Sequence, residues 1–251
     1  MMTQLSTIAA QAHIALPLKV APTQVLAAER ETWFNNPVIQ DSLWPATQET
    51  LLMTVFSSAF AIILGLPLGI WVWMTSKGGL APNPVIHRII SSIVDLGRSI
   101  PFIILIIALI PFTRFMVGKA IGWEATVVPL AVGAIPFFAR LAESAMREVA
   151  TGKIEAVQMM GATNGQIVRQ VLIPEALPAL VSSATVTAVT LVSYTAMAGA
   201  VGGGGLGALA MNYGYSQYQT DTMIACIIVV VAIVIAIQMF GDWLARRVNH
   251  R

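Results

Sequence analysis

The residues with the most distinctive types and spacing lie in one polar segment, 148–178. It holds Glu155-Ala156, then Gly161, then Thr163 and Gln166, then Pro174. These side chains cannot make or break bonds together, because no nucleophile, base and orienting group share one face. Their chemistry is that of a shaped backbone. Ile154, Val157 and Met160 give 153–160 a short apolar face at helical spacing. Gly161 can close that helix, because glycine enters the left-handed region at little cost. Thr163 with Gln166 three positions on is a capping box opening a second helix, with Ile167, Val171 and Leu172 on one side. Pro174 is expected to end it, since proline cannot extend the hydrogen-bond ladder. The segment thus predicts two short amphipathic helices meeting at an elbow. Glu155 is placed near a helix N-terminus, where the dipole favours negative charge.

A second set follows the period of one helix face. Ser183, Thr187, Thr190, Tyr194 and Met197 recur at steps of three and four. Such a stripe either lines a polar path or serves packing, with hydroxyls bonded back to carbonyls four residues earlier. Met197 at its end is a candidate gate, its thioether chain being flexible and apolar. The Gly202–Gly205 run then breaks the helix and is a candidate hinge.

Other chemistries are excluded. His13, His87 and His250 form no ligand-spaced pair, and Cys226 stands alone. Gly118-Lys119-Ala120 and Gly152-Lys153-Ile154 fail the P-loop pattern, so the chain has no site for ATP hydrolysis of that type. No His-Glu-x-x-His or Gly-x-Ser-x-Gly motif occurs. A net charge of +2, scattered along the chain, gives no footprint for nucleic acid.

The elements that must hold these residues are set by the solvent. The chain has 251 residues, 57% of them hydrophobic and 10% charged, against ~25% charged in soluble domains. A water-facing surface cannot be built from so few charges, so the outer solvent is lipid. The fold class expected is all-α, a polytopic membrane protein with five transmembrane helices. About 20 apolar residues cross a bilayer, which places spans at about 50–74, 89–112, 123–145, 179–201 and 222–243. The second span includes Asp95 and Arg98, three apart and able to pair. Arg140, Glu143 and Arg147 read as a solvated extension of the third. The fifth, rich in Ile and Val, reads as peripheral and lipid-facing.

Basic residues choose the orientation. With the N-terminus outside, nine lie inside: Lys77, Arg88, Arg140, Arg147, Lys153, Arg169, Arg246, Arg247 and Arg251. Four lie outside: Lys19, Arg30, Arg114 and Lys119. The balance favours N-out/C-in and a cytoplasmic 148–178 loop between the third and fourth helices. The domain division expected is an extension over 1–49, periplasmic or interfacial, and a transmembrane domain over 50–248. Leu5, Ile8, Ala12 and Ala15 allow an interfacial helix in the tail, and a disordered extension is the alternative. Trp33, Phe34 and Trp44 are candidate aromatic anchors.

The elbow resembles the cytoplasmic loop signature of permease subunits of bacterial ABC importers. That signature reads Glu-Ala-Ala, three residues, Gly, nine residues, Ile, one residue, Leu-Pro. This chain departs from it at Val157, Val171 and Ile173. The resemblance implies that Glu155, Ala156, Gly161, Ala162, Thr163 and Pro174 belong to a coupling helix that docks on a separate ATPase. Other segments are similar to the methionine-uptake branch of that family. They include Arg98-Ser-Ile-Pro-Phe-Ile-Ile-Leu, Ile135-Pro-Phe-Phe-Ala-Arg140 and Tyr194-Thr-Ala-Met-Ala-Gly-Ala-Val201. The resemblance covers about 43–248. It implies a multi-pass subunit of the bacterial inner membrane that acts as a homodimer. Its implied partners are two cytoplasmic ATP-binding subunits, which carry the ATP and Mg²⁺, and a periplasmic methionine-binding lipoprotein. The chain itself would then hold no cofactor and not be an enzyme. The competing readings are a permease for another amino acid or small polar solute, and a stand-alone secondary transporter. Against the latter, 176–220 carries no charge and no paired repeat is visible.

Overall fold

The computed structural model describes residues 35–249. The tail positions singled out above, Leu5 to Ala15, Trp33 and Phe34, lie outside them. Among the described residues the fold is all-α, without strands.

The first helix, α1, runs Pro37–Thr75. Asn36 caps it by accepting from the Val38 N–H at 2.9 Å, and Pro37 sits at its start, where a missing N–H costs nothing. The expected division at 49/50 therefore falls inside a continuous helix. Trp44 is exposed near its start, as an interfacial anchor requires.

The second span is bent. Helix α2 (Pro84–Ser99) and helix α3 (Phe102–Ala108) meet at 97°. Proline 101 is the cause: Ile100 before it is held extended (φ −77°, ψ 123°), outside the helical region. A single straight helix over 89–112 does not form. Helix α4 (Ile110–Val117) follows, and Gly122 then opens α5 (Trp123–Arg147).

Among the described elements, helices α1 and α5 pack together most extensively. Glycine makes that approach possible. A Cβ at Gly65 would meet the Ile135 carbonyl at 2.9 Å, and one at Gly69 the Ala139 carbonyl at 2.6 Å. Small residues one turn apart let two backbones touch. Met53, Leu130, Phe138 and Leu191 fill the main core around this seam.

Helix α6 (Thr151–Met159) forms the first arm of the elbow. The second arm differs from expectation. It does not stop before Pro174 but continues as one helix, α7 (Asn164–Gly199). Val168–Leu172 widens into a π-helical turn, in which the Ile173 N–H donates to the Val168 carbonyl five residues back. The wider turn shifts the ladder where Pro174 lacks its donor and its ring would crowd the preceding turn. The fourth span is thus a direct extension of the elbow.

After Gly199 the chain turns through glycines into α8 (Gly205–Leu209), prolonged by a π-helical turn over Ala210–Tyr215. Helix α9 (Thr220–Val248) closes the fold. It leaves Ile227, Ile228, Val231 and Ile235 exposed, while Cys226 is buried. Asn36 Nδ2 donates to Gln219, Asp221 and Thr222, which ties the start of α1 to the start of α9. Among the described residues four helices are long and apolar enough to cross a membrane, and the bent α2–α3 pair brings the number to five if it counts as one span.

Candidate functional site

The elbow has an inner side locked to the spans and an outer side left exposed among the described residues. Ile154 of α6 and Ile167 and Leu172 of α7 are buried, and they join Met146 and Val149 at the end of α5. Lys153 Nζ reaches Glu175 Oε2 at 2.6 Å and pins the two arms together. The capping box forms: Thr163 N–H donates to Gln166 Oε1 at 2.8 Å, and Gln166 N–H returns to Thr163 Oγ1 at 3.4 Å. Gly161 supplies the corner with φ +81°. Nothing lies within 4 Å of a Cβ placed there, so the corner itself is open.

On the outer side Glu155, Ala156, Met159, Met160 and Gly161 are exposed. Met159 and Met160 are 89% and 76% exposed, although methionine is apolar. Met160, expected on the inner face, points out because α6 ends at Met159 and the chain turns before it. Glu155 is the fifth residue of α6 and lies past its first turn, so the dipole gives it less than expected. Ala162 is half-buried, Thr163 exposed as the cap, and Pro174 exposed in the first turn of the following α-helical stretch. Exposed thioethers beside a small-residue corner make a deformable apolar knob of the kind that seats in a partner's groove.

The α7 stripe is divided in depth. Ser183, Thr187 and Thr190 each donate to the carbonyl four residues earlier, at 2.8–2.9 Å. Thr187 is fully buried, whereas Met197 is half-exposed. Tyr194 stacks on Phe102 of α3 with ring centroids 4.6 Å apart and planes 4° apart. These two rings, with Arg98, Phe137, Gly97 and Gly133, border a cavity of about 170 Å³ at the bend of the second span.

Two charge expectations are corrected. Asp95 does not pair with Arg98; it accepts from Arg140 Nη2 of α5 at 2.5 Å. Arg98 instead lies over the Phe137 ring, 5.8 Å from its centroid. Nor is Arg140–Glu143–Arg147 a solvated extension. Glu143 is 1% exposed and takes one guanidinium on each carboxylate oxygen, both at 2.5 Å. Arg140 also donates to Ser91 of α2 at 2.8 Å. This clasp joins α2 to α5 just before the elbow. A local signal existed, since arginines at i−3 and i+4 bracket Glu143. Burial was decided by helices distant in sequence.

At the other end, α8 is fastened by α1. Gly205 N–H donates to Glu49 Oε2 at 2.7 Å and Leu206 N–H to Thr50 Oγ1 at 2.9 Å. The Gly122 N–H donates to the Gly202 carbonyl at 3.0 Å. These caps satisfy helix N-terminal donors with a carboxylate and a hydroxyl.

The pattern of the binding-protein-dependent transport system inner membrane component family matches residues 61–250. The chain belongs to that family. Its place is therefore the inner membrane, as the permease component of an ABC transporter. The probable D-methionine transport system permease protein MetI of Vibrio cholerae is 49% identical over 87% of this chain and 96% of its own length. The methionine import system permease protein MetP of Bacillus subtilis is 45% identical over 88% and 99%. A chain from inward-facing crystal structures of the MetNI methionine ABC transporter matches with TM-score 0.84 at 47% identity, over 86% of this chain and all of that one. A crystal structure of an amino acid ABC transporter with histidines, 18% identical, shares the fold at TM-score 0.67. The clasp, the elbow and the glycine turn before α8 sit within the matched region, whereas Glu49 and Thr50, which cap α8, precede it.

Proposed function

We propose that this chain is the membrane-spanning subunit through which an ATP-driven importer carries methionine from periplasm to cytoplasm. The substrate reading rests on the names of relatives 45–49% identical over most of their length. The observation that carries the mechanism is the elbow's two-sidedness. Its exposed side presents Met159, Met160 and the Gly161 corner, while its second arm, packed on the spans through Ile167 and Leu172, runs on as α7 without a break. A push on Met159, Met160 and Gly161 would move a rigid helix that runs on to Gly199. Energy from a partner can thus reach the spans through packed helices.

In this reading two copies of the chain pair, and each docks one cytoplasmic ATP-binding subunit at Glu155, Ala156, Gly161, Ala162, Thr163 and Pro174. ATP and Mg²⁺ reside on those subunits. A periplasmic methionine-binding lipoprotein delivers the substrate at the opposite end. The orientation is N-out/C-in, supported by the nine-to-four distribution of basic residues. The α7 residues Ser183, Thr187, Thr190, Tyr194 and Met197 belong to the wall that moves. Thr187 is sealed, whereas Ser183, Thr190 and Tyr194 are half-buried and Met197 is exposed, so these four are the members within reach of a solute.

The test is uptake of labelled methionine by liposomes holding the chain and its ATPase, with the binding protein outside. Uptake that requires ATP and the binding protein supports the proposal. Transport without ATP, or of an unrelated solute instead, would refute it.

A further inference from the structure

A cavity of about 620 Å³ opens between the end of α1, the start of α2 and the end of α5. That volume lies within the ~300–1,000 Å³ range of small-molecule sites. Its lining contains Lys77, His87, Arg88, Ser91, Ser92 and Arg147, and no acidic side chain. Lys77 and Arg88 are exposed and have no ion-pair partner among the described residues. The neighbouring carboxylates are already held, Asp95 by Arg140 and Glu143 by Arg140 and Arg147. The positive charge facing the cavity is therefore left over. His87 Nδ1 donates to the Val72 carbonyl at 3.1 Å, which leaves Nε2 as the ring's remaining polar atom.

The surroundings identify the kind of anion. Val85, Ile89 and Ile93 stand four apart on α2 and are 56–66% exposed, a continuous apolar track on that helix. Trp71, one turn before the end of α1, is also exposed and is placed as an interfacial anchor. A soluble anion has no use for an apolar track, whereas a phospholipid has both a phosphate and acyl chains. Basic pockets between spans at the membrane surface take anionic headgroups in this way.

We infer that this cavity binds the phosphate of an anionic phospholipid, held by Lys77, Arg88 and Arg147, with the acyl chains along Val85, Ile89 and Ile93. The site uses no residue of the elbow or of the α7 stripe. It places one lipid against the α2–α5 clasp.

The experiment is native mass spectrometry of the full chain in detergent, with phosphatidylglycerol, phosphatidylcholine or inorganic phosphate added. Wild type is expected to retain phosphatidylglycerol in preference to phosphatidylcholine. The double variant Lys77→Gln/Arg88→Gln should lose that retention by at least about tenfold, since each basic residue near a membrane surface contributes a several-fold factor. The charge-keeping variant Lys77→Arg/Arg88→Lys should retain it. Arg246→Gln/Arg247→Gln removes as much charge from α9 and should leave retention unchanged. Equal loss in that control would mean bulk attraction and overturn the site. So would equal retention of phosphatidylcholine, or a Gln variant that binds like wild type. Inorganic phosphate binding with the same variant dependence, without retained lipid, would make it a free-anion site and overturn the lipid assignment.

Discussion

Two glycine corners interrupt the helices of this permease, and they are built in opposite ways. At the elbow, Gly161 has φ +81° and open space around it. At the other end of α7, Gly205 has φ +72°, and a Cβ there would lie 2.6 Å from Thr50 Oγ1 and 2.8 Å from the Met53 methyl. One corner needs glycine only for its backbone. The other needs it for backbone and for space. The Gly205 corner is tied down by Glu49, Thr50 and Gly122; under the proposed mechanism it would serve as the fixed end and the elbow corner would receive the force. The difference teaches that glycine content alone does not mark a hinge. The four-glycine run, a hinge candidate by sequence, is the more restrained of the two.

Substitutions can break this contrast. The largest loss of stability is expected for Gly205→Val, where overpacking of ~1–3 kcal/mol adds to ~1–2 kcal/mol of left-handed strain. Thermal unfolding in detergent should show it as a marked drop in Tm or loss of folded protein. A variant as stable as wild type would mean the Gly205 corner is loose after all.

Next comes Glu143→Ala in the clasp. Breaking a fully buried pair costs ~3–5 kcal/mol, but Arg140 and Arg147 both reach solvent, which reduces the expected loss to about 2 kcal/mol. A double-mutant cycle with Arg140→Ala should recover part of it. Strict additivity would show that the two side chains do not interact.

Gly161→Trp sharpens the comparison most. Its stability cost is limited to about 1–2 kcal/mol of backbone strain, because no neighbour is struck. Its effect should appear in transport. The smallest effect on stability is expected for Met159→Ala/Met160→Ala, within about 0.5 kcal/mol per residue at these exposed positions. Retention of the ATPase on affinity-purified protein should nevertheless fall. Undiminished retention would remove the methionine knob from the docking face.

What was legible in the sequence follows from the range of each interaction. The capping box of Thr163 and Gln166 and the corner at Gly161 are made within a few residues, and both could be read directly. Membrane character was legible because the scarcity of charge is a property of the whole chain. Pro174 misled, since its rule holds for an α-helical ladder and Val168–Leu172 widens to a π turn. Spacing allows Asp95 to pair with Arg98, three residues away, but its partner lies 45 positions on in α5. Glu49 looked like part of a tail, yet it caps a helix 156 positions later. Contacts of that separation leave no mark in local spacing. Glu143 lay between these cases: its two arginines were visible, but its burial depended on how α2 packs on α5.

The central claim is that force enters at the bare elbow and travels along α7. The most direct measurement is the ratio of methionine imported to ATP hydrolysed, in liposomes containing the chain with its ATPase, for wild type and Gly161→Trp. The account predicts a ratio lower by at least about tenfold, the factor equivalent to ~1.4 kcal/mol, with the variant folded and its methionine uptake lost. A folded variant that imports methionine at the wild-type ratio would contradict it.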